Sequence, residues 1–146
     1  MSGPRDLYPE AILEHSRSPR NFRAVEGANR SAAGVNPLCG DEITVSLKLG
    51  AGVIEDIGFL GEGCAISRAS ASMMTAAVKQ GTAAQAEALF RQVEALLSGS
   101  GPASPDLGAM ASLSAIAQFP ARVKCASLAW HALRAALEGS AKVSTE

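Results

Sequence analysis

The sequence predicts a mixed helix-and-sheet domain in which strands and helices fall in separate blocks. Three observations lead there. Residues Ile43 to Leu60 carry the period-two pattern of a β-hairpin. One helical stretch precedes this hairpin and four follow it. A length of 146 residues suits one domain with a real core and is short for two, so 1–146 reads as a single domain.

The first helix is expected from Leu7 to about Ser18, with Leu7, Ile12 and Leu13 as a narrow apolar stripe and Pro19 as its stop. His15 on this helix reads as a core or surface histidine. Residues 19–38 are rich in Pro, Gly, Asn and Ser and read as loop, with a short strand near Ser31–Val35. Arg17, Arg20, Arg23 and Arg30 concentrate here and read as a solvated face, with a docking patch for an acidic partner as the alternative. In the hairpin, Ile43, Val45, Leu47 and Leu49 alternate with Glu42, Thr44, Ser46 and Lys48. A three-residue loop, Gly50-Ala51-Gly52, would set Leu49 opposite Val53, Asp41 opposite Gly61 and Cys39 opposite Gly63. A β-bulge would shift that register by a residue.

A helix from Ala65 to Gln80, closed by Gly81, follows; its early serines are candidates to cap the first turn. Met73 and Met74 read as core filler. Thr82 should cap a helix running to about Leu97 with Ala86, Leu89, Val93 and Leu97 inward. Ser98–Pro105 is a small-residue connector. Asp106 starts a short helix to about Ala117, and Pro120 opens the last one, Ala121 to about Glu138. Its face Cys125, Ala129, Ala132 and Ala136 is small enough for close packing. The tail at about 140–146 is expected to fray.

Composition excludes several classes of function. Hydrophobic residues make up 47% and charged residues 18%, the profile of a globular protein. A net charge of −1 offers no basic field for nucleic acid or anionic membrane. No apolar run reaches the roughly 20 residues of a membrane span, and the N-terminal stretch lacks the apolar core of a signal peptide. A cytoplasmic location is expected. Cysteines number 3, which leaves one over in any disulfide scheme and favours ligand or nucleophile roles in a reducing compartment.

The chemistry concentrates in Asn36-Pro37-Leu38-Cys39-Gly40-Asp41. In an extended chain, side chains two apart point the same way, so Cys39 and Asp41 could reach one atom. The hairpin brings Cys64 to the same end, and at the start of the helix after it a thiolate is stabilised. Cys125, in the first or second turn of the last helix, completes three thiolates and a carboxylate, a donor set suited to one tetrahedral zinc. That set is net anionic, and Arg68, Arg122 and Lys124 are the cations near it in sequence. The plain alternative is that the cysteines are small buried hydrophobes. A zinc that serves only as a structural staple is a further one.

Five ordered stretches resemble a known family. They are Leu7-Tyr8 with Ile12-Leu13-Glu14-His15 and Pro19-Arg20-Asn21; Asn36 to Asp41; Gly61-Glu62-Gly63-Cys64-Ala65-Ile66-Ser67; Ala69-Ser70-Ala71-Ser72-Met73-Met74-Thr75; and Phe119-Pro120-Ala121-Arg122-Val123-Lys124-Cys125-Ala126. Together they resemble the SufU-type members of the IscU/NifU-like iron–sulfur cluster assembly family. The resemblance implies an α+β fold, a small three-stranded antiparallel sheet packed against about five helices. It implies zinc on Cys39, Asp41, Cys64 and Cys125, with Cys39 as sulfur acceptor and Arg122 in support. It implies sulfur transfer from a SufS-type cysteine desulfurase toward downstream Suf scaffold proteins. The alternative is a scaffold that assembles a [2Fe–2S] cluster on the same residues and hands it on. Lys124 stands where IscU-like chains carry histidine, and Ser98–Ala111 resembles an insertion of the SufU type. Phe119-Pro-Ala-Arg-Val-Lys124 replaces the Leu-Pro-Pro-Val-Lys motif, so no J-protein/Hsp70 chaperone partner is expected. Arg68 departs from the family pattern, which has an apolar residue there.

Overall fold

A computed structural model describes residues 10–37, 40–99, 105–139 and 142–144. In chain order the elements are α1 (Glu10–Arg17), β1 (Arg30–Asn36), β2 (Asp41–Gly50), β3 (Val53–Glu62), α2 (Ala65–Val78) and α3 (Ala83–Leu97). A 3₁₀ segment (Pro105–Ile116), α4 (Pro120–Glu138) and β4 (Lys142–Ser144) follow. The sheet order is β3-β2-β1-β4. The expected three-stranded antiparallel sheet is present, with five helical segments among the described residues. A fourth short strand, β4, joins β1 in parallel, so residues 142–144 form structure where a frayed tail was expected.

Alternation along β2 does what its sequence requires. Ile43, Val45 and Leu47 are fully buried on one face, while Glu42, Thr44, Ser46 and Lys48 lie on the other. The buried face meets Ile66, Met73 and Met74 of α2 and Leu128, Trp130 and Leu133 of α4 in one core. The small face of α4 lets it settle close on the sheet. A Cβ on Gly34 would lie 3.1 Å from Leu128 Cδ1 and 3.3 Å from Ala132 Cβ, so α4 packs against bare backbone there.

The hairpin departs from the expected register. Its loop is the two residues Ala51 and Gly52, both left-handed (φ 54 and 80), the geometry of a tight hairpin turn. Gly50 therefore faces Val53, and an irregularity between Lys48 and Leu49 adds another step. Ile43, not Asp41, ends opposite Gly61. The two shifts carry Asp41 further along β3, toward Cys64.

Elsewhere the differences are of face and helix type. The buried side of α1 is Ile12 with His15, whose Nδ1 lies 2.7 Å from Ser72 Oγ; Leu7 lies outside the described residues. Phe90 joins Ala86, Val93 and Leu97 in the core from α3, with Leu89 partly buried against it. Thr82 caps α3 as expected, in a reciprocal capping box with Gln85. The segment after the connector is 3₁₀ rather than α, kinked at Gly108. Its buried residues Leu107, Met110, Leu113 and Ile116 recur every third position, the spacing that puts a 3₁₀ helix on one face. The arginine-rich segment is the solvated face expected for it, its exposed side chains engaged in surface ion pairs. Arg17 pairs with Glu10, Arg20 with Glu14 and Arg23 with Asp56, while Arg30 donates to Leu137 O at 2.9 Å.

Candidate metal centre

Three chain segments meet at one end of the sheet. Asp41 opens β2, Cys64 is the N-cap of α2, and Cys125 lies in the second turn of α4. The donor atoms of Asp41, Cys64 and Cys125 all lie within 4.8 Å of one another. Asp41 and Cys125 are buried and Cys64 is half-buried. The fourth predicted ligand, Cys39, lies outside the described residues. Its neighbours in sequence are tied together, with the Gly40 N–H donating to Asn36 O at 2.9 Å.

Each donor is placed by its element. Asp41 is held from both sides, since the Cys64 N–H donates to Oδ1 (3.3 Å) and the Ser67 hydroxyl to Oδ2 (2.6 Å). Cys64 has the extended backbone of an N-cap (φ −70, ψ 173) and makes no side-chain cap bond, so the expected serine capping of α2 is absent. Ser67, the nearest candidate for that role, turns instead to the carboxylate. The Cys64 thiol is pulled down from its ordinary 9.0 to about 6. A hydrogen bond from Cys125 is the main cause, and the backbone N–H of Ser67 adds to it, while burial and the Asp41 charge work the other way. The Cys64 thiol is thus disposed to ionise at neutral pH.

These residues fit a divalent metal ion. Two thiols and a carboxylate share a largely buried space, and gathering such anions there is costly unless a cation neutralises them. Thiolate plus carboxylate also matches the donor preference of zinc. Asn36, fully buried and facing Asp41 across the β1–β2 ladder, has no hydrogen-bond partner for its amide among the described residues. The site therefore retains unspent polar capacity beside the three donors.

The cations expected around the centre are distributed unevenly. Arg68 lies one turn after Cys64, but its guanidinium stacks 5.7 Å from the centroid of the exposed Phe22 ring. Arg122 is exposed and Lys124 half-buried on the first turns of α4. Sequence reasoning missed Ser67 and the buried state of Asn36. The available signal for Ser67 was its spacing, three residues past Cys64 on the same helical face.

The NifU-like N terminal domain family model matches residues 7–126. The chain belongs to this NifU-like family. A Streptococcus pyogenes serotype M1 relative named iron-sulfur cluster assembly scaffold protein IscU is 40% identical over 142 residues, covering 97% of this chain and 89% of its own. A Bacillus subtilis relative named zinc-dependent sulfurtransferase SufU is 41% identical over 128 residues, covering 87% of this chain and 86% of its own. Among solved structures, a putative SUF-system assembly scaffold from Fervidobacterium islandicum AW-1 superposes with a TM-score of 0.86 at 31% identity, covering 92% of this chain and 99% of that one. The fold expected from the NifU-like resemblance is therefore the fold observed.

Proposed function

We propose that this protein acts in iron–sulfur cluster assembly as a zinc-dependent sulfurtransferase, taking persulfide sulfur from a SufS-type cysteine desulfurase. The observation that carries the reading is the mixed sulfur and oxygen donor set, Asp41, Cys64 and Cys125, drawn together within 4.8 Å. The ion would be held by Cys39, Asp41, Cys64 and Cys125. When bound, zinc supplies Lewis acidity that keeps thiols deprotonated at neutral pH without redox change. The name of the Bacillus subtilis relative supports the same chemistry.

The chain's own residues then handle the sulfur. Asp41 and Cys125 are closed in by the core, whereas Cys64 is half-exposed, so a partner reaches the cluster from the Cys64 side. Phe22 and Leu60 are large exposed apolar side chains that could offer contact to a partner. Cys39 is the acceptor. Its thiolate attacks the outer sulfur of the partner's persulfide, and the S–S bond breaks. The electron pair leaves on the partner cysteine, and the outer sulfur remains on Cys39 as a persulfide. Neither oxidant nor reductant is consumed. Arg122, on the helix that carries Cys125, supports the carboxylate or the transferring sulfur. Downstream Suf scaffold proteins are the recipients, and a reducing cytoplasm suits the thiols; no helix among the described residues is long and apolar enough to cross a membrane.

A second reading has an observation of its own. The Streptococcus pyogenes relative is named as a scaffold, and thiolates with a carboxylate also suit a [2Fe–2S] cluster. Anaerobic purification separates the two. Colourless protein with about one zinc per chain supports transfer, and brown, oxygen-labile protein supports the scaffold. In the transfer reading, Cys39→Ala abolishes desulfurase stimulation in repeated turnover while docking persists. A Cys39→Ala variant that still accelerates alanine release overturns the assignment.

A further inference from the structure

Ser67 was not among the expected site residues, yet its surroundings are those of the site. It is fully buried on the first turn of α2. Its hydroxyl lies 2.6 Å from Asp41 Oδ2 and 3.7 Å from Cys64 Sγ, two of the three clustered donors. A hydroxyl has one hydrogen to give, and the shorter distance assigns it to the carboxylate. The other carboxylate oxygen receives the Cys64 N–H. Both oxygens are thus pinned, and the plane of the carboxylate is set by α2 rather than by the strand that carries it.

The space around this contact is fitted to it. A Cβ on Gly63 would lie 3.0 Å from Ser67 Cβ and 3.5 Å from Asp41 Cγ, so any larger residue there would press on the pair. Helix backbone is stiff, whereas an aspartate at a strand end has two free torsions. Locking the flexible donor to the stiff element removes orientational entropy before metal arrives.

We propose that Ser67 is a positioning residue of the metal centre: its hydroxyl orients Asp41 as the oxygen ligand and so raises affinity for zinc. This rests on the reading of Asp41, Cys64 and Cys125 as metal ligands. Outer residues that hydrogen-bond a ligating carboxylate typically change metal affinity 10–100-fold. Ser67→Ala removes the donor while keeping a small side chain in the helix.

The test is competition for zinc against a chromogenic chelator, on wild type, Ser67→Ala, Ser67→Thr and Asp41→Ala, with thermal unfolding of the metal-free forms alongside. Ser67→Ala should bind zinc about 10–100-fold more weakly, while the metal-free form still unfolds cooperatively, its melting temperature lowered only by the few degrees that one lost buried hydrogen bond costs. Ser67→Thr, which keeps the hydroxyl, should recover most of the loss. In the Asp41→Ala background, Ser67→Ala should cause no further loss, because the group it orients is gone. Ser67→Ala with wild-type affinity, or a loss that persists undiminished without Asp41, overturns the proposal and leaves the metal-site reading intact. Wild-type protein that takes up no zinc overturns both.

Discussion

Replacing Gly61 by alanine should separate the two strands that deliver the metal donors. Gly61 has φ +139, a region closed to residues with a side chain, and a Cβ there would lie 2.0 Å from Glu42 O and 3.0 Å from Ile43 Cα. Both neighbours are backbone, so no rotamer change relieves the overlap. The conformational cost is about 2 kcal/mol. Opening the ladder enough to clear the clash removes two hydrogen bonds at about 1 kcal/mol each. A total near 4 kcal/mol lowers the melting temperature of a domain this size by about 8–16 °C. Because Gly61 faces Ile43, two residues from Asp41 and three from Cys64, zinc affinity should fall at least about tenfold as the donors part. Gly27→Ala is the control. Its φ of +75 is also unfavourable, but nothing lies within 4 Å of the added carbon. It should cost about 1 kcal/mol, for a shift of about 2–4 °C, and leave zinc binding untouched. Thermal unfolding and chelator competition on both variants decide the matter. Equal shifts for the two, or a Gly61→Ala protein that keeps full zinc affinity, would refute the account of how the hairpin holds the site.

Other outcomes follow from contacts elsewhere. In metal-free protein, alkylation of Cys64 by iodoacetamide should reach half its maximal rate near pH 6, and Cys125→Ala should move that midpoint upward because Cys125 is the main cause of the shift. Ser72→Ala should destabilise by about 1–3 kcal/mol in urea unfolding, since Ser72 Oγ accepts the Arg20 N–H at 2.8 Å and bonds His15, leaving both without it. His15 and His131 have pKa values lowered chiefly by burial, so the unfolded chain binds protons that the folded chain resists. Their stabilisation is complete above the unfolded value of 6.5 and declines as pH falls below it. Urea midpoints at pH 7.5 and pH 5 should therefore diverge less in His15→Gln than in wild type, and equal divergence would exclude His15 from the effect.

Much of the fold was legible because local rules and tertiary packing agree. The strict alternation of β2, the Thr82–Gln85 capping box and Pro120 at the entrance of α4 are each set by neighbours within a few residues. The hairpin turn was less so. Gly50-Ala51-Gly52 admits both a two-residue and a three-residue loop, and only the pairing of the strands selects Ala51-Gly52. On α3, Leu89 and Phe90 are adjacent and both apolar, and which one turns fully inward depends on what lies opposite. The 3₁₀ segment read as α-helix because a short apolar repeat of three and one of three-to-four differ by little over 12 residues.

By itself, the sequence determined the inventory: which donors exist, which sit at element ends, and that one hairpin must bring the segments around Asp41 and Cys64 together. Those are matters of residue type and of periodicities fixed by backbone geometry. Only the tertiary structure decided that Ser67 turns to Asp41 instead of capping its own helix, that Arg68 lies over Phe22, and that Asn36 is sealed beside the cluster. A short polar side chain has several partners within reach of its own backbone. Which of them wins is set by the elements packed above it, and those arrive from distant parts of the chain.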